Sequence, residues 1–345
     1  MAASMMATFL KAGVSVTAVV SRDLERARQF ARTFSIPVSG SSLGSLIDRG
    51  DVDAVYVANS VHEHAKVCIA ALEAGKPVLC EKPLATSLAE GLRVVEAARK
   101  AEILCMEGLW TLFLPAYKQF LELSGSGEWG KTRSLIADFG YPTSEESKRK
   151  EMGGVLLDRG VYLIALALSV LGPVERVDAL LGLTSAGADE EAFLQLFHSN
   201  GAHSQLAVSF AGLMSNTATL SCSRGSIRLE WPLIGSEKIS TIRAAPLRSS
   251  RDSAQRQSVR DTIMKKLRES PRLRRINRTI KTPDRRYLPF GTDQYLPELN
   301  HFLGLMKMKS KESEIASLQL SLDIQRIIER AVANHMGLPQ QELRS

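Results

Sequence analysis

The sequence has little of what marks several common protein classes. It contains four cysteines in 345 residues, and none of them forms a C-x-x-C pair. This distribution argues against a disulfide framework and is typical of buried thiols in a reducing compartment. His62, His64 and Cys68 are close in sequence, but no second cluster completes a coordination shell, so we expect no metal site.

A long hydrophobic run is also missing. The longest apolar stretch, residues 160–171, is too short to span a bilayer and is typical of a buried helix. The first residues are apolar and rich in methionine, but they have no basic region and no cleavage-site pattern, so they do not resemble a signal peptide. We therefore expect a cytoplasmic protein without a transmembrane segment.

A third absence concerns glycine. No G-x-G-x-x-G or G-x-G-x-x-A motif occurs upstream of Val14. A dinucleotide-binding unit begins with a strand and such a turn, whose backbone N–H groups hold the pyrophosphate. Here the sequence opens on a helix, and Ala2 or Ala3 fits the last position of the motif. A misassigned start, a truncated chain and a protein without a complete pyrophosphate site all stay open.

Positive charge is concentrated in one segment. Residues 243–286 contain fifteen Lys and Arg against four Asp and Glu, a net charge of +11, so the rest of a chain of net charge +7 carries −4. The segment has no aromatic residue to stack on bases, so nucleic-acid binding is only weakly supported. A solvated insertion is the simplest interpretation, and a positive lid for an anionic substrate or contact with a membrane surface stays open.

The first hundred residues alternate strand and helix. Apolar or β-branched runs predict strands at 14–20, 55–58, 77–80 and 103–106. Helical patterns lie between them, at 24–34, 63–74 and 87–100, and Asp23 is placed to cap the first. This alternation predicts an α/β domain over residues 1–105, a Rossmann-type doubly wound parallel sheet without its first strand and Gly-rich turn.

The pattern changes from about residue 106. Short runs bounded by turn signals predict strands near 131–140, 174–183, 191–197, 203–211, 215–221 and 226–231. Helical patterns are present at 159–171 and again from 296 to 336. We therefore expect a second, α+β domain over residues 106–345, with a largely antiparallel sheet and the basic insertion 243–286.

The strand predicted at 77–80 ends in the charged sequence Glu81-Lys82-Pro83. In an open α/β sheet, ligands bind beyond the carboxyl ends of the strands. A lysine at this place can hold a cofactor and donate to a substrate oxygen, although a lone lysine at a strand end is an ordinary surface feature.

Ser21, Arg22 and Asp23 follow the first predicted strand, where a dinucleotide site reads the adenosine ribose. A carboxylate there accepts from the ribose 2′-hydroxyl, whereas an arginine meets a 2′-phosphate. Ser21 and Arg22 can both donate to a phosphate, and Asp23 is better explained as a helix cap. The sequence therefore favours NADP(H) over NAD(H), with a plain surface role for Arg22 as the alternative.

Asp158 and Tyr162 follow the pair Gly153-Gly154 and lie on one face if the segment is helical. A tyrosine near a lysine ammonium is a candidate general acid, because the positive charge favours the phenolate and lowers the pKa of the phenol. The alternative is a helix cap at Asp158 and a core tyrosine. In combination with Lys82, the pair favours a catalytic site.

Three motifs occur in a fixed order: Gly-Lys-Pro-Val-Leu-Cys-Glu-Lys-Pro at 75–83, Met-Glu-Gly-Leu-Trp at 106–110, and Gly-Gly followed by Asp-Arg-Gly-Val-Tyr within 153–162. With this set the chain resembles the glucose-fructose oxidoreductase / inositol dehydrogenase / rhizopine-catabolism (Gfo/Idh/MocA) oxidoreductases, most strongly their dihydrodiol dehydrogenase-like branch. The resemblance covers residues 1–235 and 288–335. It implies an open-faced second sheet that covers the nicotinamide and commonly forms dimers.

The resemblance also implies roles for single residues. Lys82 matches a lysine that contacts the nicotinamide ribose and the reacting oxygen, Tyr162 matches a proton donor, and Asp158 matches an aspartate of the substrate pocket. The other matches are expected to contact the cofactor: Asn59, Ser60, His64, Glu81 and Trp110, with Ser21 and Arg22 at the ribose. Leu112 departs from the pattern, because an arginine is common two residues after the family tryptophan.

Together these features predict an NADP(H)-dependent oxidoreductase. It would transfer a hydride between nicotinamide and a secondary alcohol or ketone of a sugar, cyclitol or related polyol. The expected partners are that small sugar-like substrate and further copies of the chain, in a homodimer or higher homo-oligomer. The alternative is a non-catalytic nucleotide-binding protein on the same scaffold, which the missing glycine turn and Leu112 favour.

Overall fold

A computed structural model describes residues 2–143, 153–244 and 283–338. The helices are α1 Ala2–Lys11, α2 Leu24–Phe34, α3 Gly44–Ile47, α4 His64–Glu73, α5 Leu88–Ala101, α6 Pro115–Gly125, α7 Val161–Leu171, α8 Leu296–Lys307 and α9 Leu318–His335. The strands are β1 Ala18–Val20, β2 Val38–Gly40, β3 Val55–Val57, β4 Val78–Glu81, β5 Cys105–Gly108, β6 Thr132–Gly140, β7 Val174–Leu183, β8 Asp189–His198, β9 His203–Ser209, β10 Ala218–Cys222, β11 Gly225–Leu229, β12 Lys238–Arg243 and β13 Asp284–Tyr287. Short 3-10 turns lie at Val61–Glu63 and Trp110–Phe113, and a π turn lies at Leu156–Gly160.

The N-terminal strands form two small parallel sheets, β1–β2 and β3–β4–β5. The strands β4 and β5 are fully buried, whereas β1 and most of β3 are partly exposed. In a doubly wound sheet of order 3-2-1-4-5-6, these five strands take every place except the one between β1 and β3. Within the described residues no strand fills that place. The predicted Rossmann-type parallel architecture is therefore confirmed.

Helix ends in this half follow local sequence signals. Asp23 Oδ1 accepts from the backbone N–H groups of Glu25 (2.9 Å) and Arg26 (3.1 Å), which confirms the predicted cap of α2. Ser87 caps α5 in the same way. Gly75, at φ +74°, follows α4 and turns the chain into β4. These signals lie within a few residues, so the sequence alone predicts the alternation well.

The second half of the chain forms an eight-stranded sheet in the order β13-β12-β11-β10-β6-β9-β8-β7. The pair β6–β9 is parallel and the other neighbours are antiparallel. All six strands predicted here are present. The sequence did not predict β12 and β13, whose residues are largely polar or exposed. Most of the basic segment, residues 245–282, lies outside the described residues, as does the amphipathic stretch considered there.

The apolar helix α7 packs against β6 and β9. Regular helix begins at Val161 rather than at residue 159, because the π turn precedes it. Gly154, at φ +96°, leads into this turn. A Cβ there would lie 1.8 Å from Asp189 Oδ1, and the same carboxylate accepts from the Leu156 N–H at 2.7 Å, so the close approach requires glycine.

The last helix, α9, joins the two halves of the molecule. Gln325 Nε2 donates to the Ala85 carbonyl at 2.7 Å, and Glu329 Oε1 accepts from the Leu88 N–H at 2.7 Å. At its other end, Asn334 Oδ1 accepts from the Ala179 N–H on the outer edge of β7. The chain after Lys82 is thereby fixed to the large sheet, while the predicted domain division at residue 105 stays a prediction.

Across the three described ranges, every helix is either too short or too polar to cross a membrane.

Candidate active site

The candidate site lies at the carboxyl edge of the parallel strands. Because β3, β4 and β5 run parallel, Asn59-Ser60, Lys82 and Trp110 all follow strand ends on that edge. The end of β1 is close by, since a guanidinium nitrogen of Arg22 lies 3.6 Å from Glu63 Oε1 in the turn after β3. This is where a doubly wound sheet binds its ligands.

Lys82 links the parallel strands to the π turn of the second half. Its side chain is 14% exposed, and Nζ donates to Asp158 Oδ1 at 2.5 Å and to the Asp158 carbonyl oxygen at 2.8 Å. An ammonium has three donors. Asp158 takes two of them, and the described residues provide no acceptor for the third, so one N–H is left for a ligand oxygen.

Tyr162 lies beside this ion pair. Lys82 Nζ is 5.1 Å from the centroid of the Tyr162 ring, and the phenol oxygen accepts from Trp110 Nε1 at 3.0 Å. Burial, followed by the negative charge of Glu81, raises the pKa of Tyr162 well above its usual value, and the Trp110 hydrogen bond opposes the rise. The pKa of Tyr162 is thus raised overall and not lowered, as the lysine alone predicted, because burial is the largest contribution. Tyr162 is therefore a neutral phenol, suited to donate a proton.

Glu81 belongs to a buried group of three acidic side chains. Its Oε1 accepts from the Tyr56 hydroxyl at 2.5 Å, and burial raises its pKa. Glu107 accepts from the Leu84 N–H at 2.9 Å, and its pKa is also raised by burial. Glu298, from α8, completes the group. Burial and then the charges of Glu81 and Glu107 raise its pKa well above the usual range.

His64 is buried beneath the turn that follows β4. Its Nδ1 lies 2.7 Å from the Pro83 carbonyl oxygen, which can only accept, so Nδ1 carries the proton. Burial lowers the pKa of His64, and the ring is neutral at pH 7. It holds the chain that carries Lys82, and its predicted contact with a cofactor stays a prediction.

The residues predicted to contact the adenosine ribose lie at the surface. Arg22 has a side chain that is 78% exposed, and Ser21 Oγ accepts from the Asp23 N–H at 3.4 Å. Asn59 is exposed, and Ser60 precedes the 3-10 turn at Val61–Glu63. These residues and Lys82 all follow the carboxyl ends of parallel strands, and their contacts with a dinucleotide stay a prediction.

Matches to family models agree with this geometry. Residues 2–109 match the oxidoreductase family with an NAD-binding Rossmann fold, and residues 117–228 match the GFO/IDH/MocA C-terminal domain. The chain belongs to the GFO/IDH/MocA oxidoreductase family. The resemblance inferred from the three motifs is thereby confirmed, as is membership of a class of enzymes.

Curated relatives of this GFO/IDH/MocA protein include mammalian trans-1,2-dihydrobenzene-1,2-diol dehydrogenases. The mouse protein is 31% identical over 220 residues, which span 62% of this chain and 66% of the mouse protein. The rabbit protein is 31% identical over 275 residues, spanning 74% of this chain and 84% of the rabbit protein.

Solved structures with the same fold include KijD10, a 3-ketoreductase from Actinomadura kijaniata, in complex with TDP-benzene and NADP. It is 26% identical, with a TM-score of 0.71 over 92% of this chain and 89% of its own. A levoglucosan dehydrogenase complexed with NADH is 18% identical and has a TM-score of 0.78 over 99% of this chain and 97% of its own. The second likeness concerns the fold alone.

Sequence reasoning missed three side chains of this GFO/IDH/MocA site. Tyr295 packs edge-on against Trp110 with ring centroids 5.1 Å apart, and Glu298 approaches Glu81. Arg159 is buried against the rings of Tyr141 and Phe210 and donates to the Tyr141 carbonyl at 2.8 Å. Tyr295 and Glu298 are far from the motifs in sequence, and no local pattern marks them.

Proposed function

We propose that this protein is an NADP(H)-dependent oxidoreductase that interconverts a secondary alcohol and a ketone on a sugar, cyclitol or related polyol. The observation that carries the proposal is the cluster in which Asp158 holds the Lys82 ammonium beside the Tyr162 phenol. A cation and a neutral acid next to each other at the ligand-binding edge of a Rossmann sheet suit carbonyl reduction.

Lys82, Asp158 and Tyr162 have separate roles in the proposed reaction. When bound, the nicotinamide supplies the hydride chemistry. Lys82 uses its remaining N–H to orient and polarise the substrate oxygen, and Asp158 keeps the ammonium in place. Tyr162 gives its proton to that oxygen in reduction and takes it back in oxidation. The raised pKa of Tyr162 keeps the phenol protonated until its proton is transferred to the substrate oxygen.

The preference for NADP(H) over NAD(H) is supported by the end of β1. The exposed Arg22 guanidinium and the Ser21 hydroxyl are donors, and the carboxylate of Asp23 is occupied by the first turn of α2. A 2′-phosphate would meet these donors, whereas the aspartate that could accept from a 2′-hydroxyl already caps the helix.

We further propose a homodimer in the cytoplasm. Ile136, Leu180 and Phe193 are exposed on strands β6, β7 and β8 of the large sheet, in which β9 lies between β6 and β8. Paired copies would bury these apolar side chains. Cys68, Cys80 and Cys105 are buried free thiols, which supports a reducing compartment.

The test is substitution of Lys82. We expect Lys82→Ala to lose turnover by about a thousandfold, because the cation that polarises the oxygen is removed. Lys66→Ala, an exposed lysine on α4, is the matched control and should be as active as the wild type. Steady-state kinetics and a circular dichroism spectrum check both variants, and near-wild-type turnover by a folded Lys82→Ala protein would refute the proposed chemistry.

A non-catalytic nucleotide-binding protein is the second candidate function. Leu112 favours it, because this buried side chain lies in the 3-10 turn after β5, where the family resemblance implies an arginine that contacts the cofactor. Such a protein would bind NADPH or NADH and would show no turnover that depends on Lys82.

A further inference from the structure

We propose that Trp110 is a positioning residue that aims the Tyr162 hydroxyl proton into the substrate cleft. This inference rests on the proposed role of Tyr162 as the proton donor. It gives the indole of Trp110 a task separate from the cofactor contact that the sequence implied.

The argument begins with the direction of one hydrogen bond. The Trp110 indole nitrogen lies 3.0 Å from the Tyr162 hydroxyl oxygen. An indole N–H can donate and cannot accept, whereas a phenol hydroxyl can do both. Tyr162 must therefore accept from Trp110, and its own proton must point elsewhere. None of the described residues accepts that proton, so it is free to meet a ligand oxygen.

The indole is held firmly in this orientation. Trp110 is 5% exposed and begins the 3-10 turn after β5, whose other residues are also buried. Its ring meets Tyr295 and Tyr162 edge-on, with centroids 5.1 and 6.2 Å away. An indole packed on two sides keeps its N–H on the phenol oxygen without help from a ligand.

The same bond also stabilises the phenolate. Once Tyr162 has given up its proton, its oxygen is buried and lies near Glu81 and Asp158, which both disfavour negative charge there. The Trp110 N–H is a donor already in place for that charge. Trp110 is thus expected to matter most when Tyr162 acts as the base, in alcohol oxidation.

The contact can be tested without cofactor or substrate. The chain contains three tryptophans, so protein labelled with ¹⁵N at tryptophan gives three indole N–H signals, which single substitutions assign. We expect Tyr162→Phe to move the Trp110 signal and to leave the Trp129 and Trp231 signals in place. An unmoved Trp110 signal would overturn the inference, whatever the activity of the protein.

Kinetics then test the consequence. Trp110→Phe should lower kcat for alcohol oxidation about tenfold and change KM for the nucleotide little. The acidic limb of the pH profile, which reports the base Tyr162, should move up by about one unit. Trp129→Phe is the matched control, because Trp129 is equally buried and its Nε1 makes no hydrogen bond to the described residues.

An unshifted pH profile in a folded Trp110→Phe protein would overturn the inference and leave the role of Lys82 intact. If Trp110→Phe does not fold, the Tyr162→Phe spectrum decides alone. Loss of turnover in Lys82→Ala with no change in the indole spectrum of Tyr162→Phe would support the proposed function and refute the role of Trp110.

Discussion

At the residue scale, burial sets the pKa values of three acidic side chains near Lys82. Glu81, Glu107 and Glu298 are all buried, and each has a raised pKa for that reason. Burial disfavours the charged form of a carboxyl group and so raises its pKa. Of the three, Glu298 has an oxygen, Oε1, that forms no hydrogen bond within the described part of the chain. It is therefore the best position at which to measure the effect.

Glu298→Gln should make the free energy of unfolding fall less steeply as the pH rises. The pKa of Glu298 is raised in the folded state, so its stabilising contribution is complete below the unfolded value near 4.5 and declines as pH rises towards the folded value. The wild type should lose up to about 1.4 kcal/mol per pH unit from this group, and the variant should not.

Melting temperatures between pH 5 and pH 8 measure this difference. We expect the variant to gain on the wild type steadily across the range. Glu73→Gln, at the exposed end of α4, serves as the control. Parallel curves for wild type and Glu298→Gln would mean that Glu298 is ionised in the folded protein.

The residues of the site differ in how far the sequence could predict them. Lys82, Asp158 and Tyr162 stand in short motifs, and the structure brings the three together. The environment of Tyr162 was not predictable, because it depends on Glu81 at the end of β4 and Trp110 in the turn after β5, which are distant in sequence. Local sequence identifies a side chain and its strand end, whereas its pKa depends on packing over long sequence separations.

At the scale of elements, the segment between β1 and α2 combines a structural role and a candidate binding role. Asp23 caps the helix through two backbone N–H groups, while Ser21 and Arg22 precede the cap at the end of β1. The same short segment thus contains a structural signal and a candidate ribose contact. Local signals of this kind explain why α2, α4 and α5 were predictable. The short β2 and the exposed β13 have no such signal.

Asp23 substitutions separate these two roles. Asp23→Ala should lower the free energy of unfolding by about 1 kcal/mol, whereas Asp23→Asn should be close to the wild type because asparagine also caps helices. Urea unfolding measures both variants. In the same proteins, the NADH dissociation constant of Asp23→Asn should be unchanged. A clear loss of NADH affinity would show instead that the carboxylate reads the ribose.

At the scale of the whole molecule, the site depends on contacts between the two halves. Lys82 reaches Asp158 from the parallel strands, Tyr295 packs on Trp110, and α9 holds the turn at Ala85. The two halves were predictable as fold classes, because periodicity and turn signals are local. How they meet was not, since no local pattern encodes the return of α8 and α9 to the first half.

The most direct test of the central claim follows the hydride itself. Wild-type protein is incubated with a panel of cyclic ketones derived from sugars, cyclitols and dihydrodiols. NADPH deuterated at nicotinamide C4 is the reductant in one series, and NADH deuterated at the same carbon is the reductant in a parallel series. The products are analysed by mass spectrometry. We expect deuterium at the new carbinol carbon of at least one product, with more from NADPH than from NADH and none with Lys82→Ala. Saturable NADPH binding without a deuterated product from any ketone would contradict the account and identify a nucleotide-binding protein without catalysis.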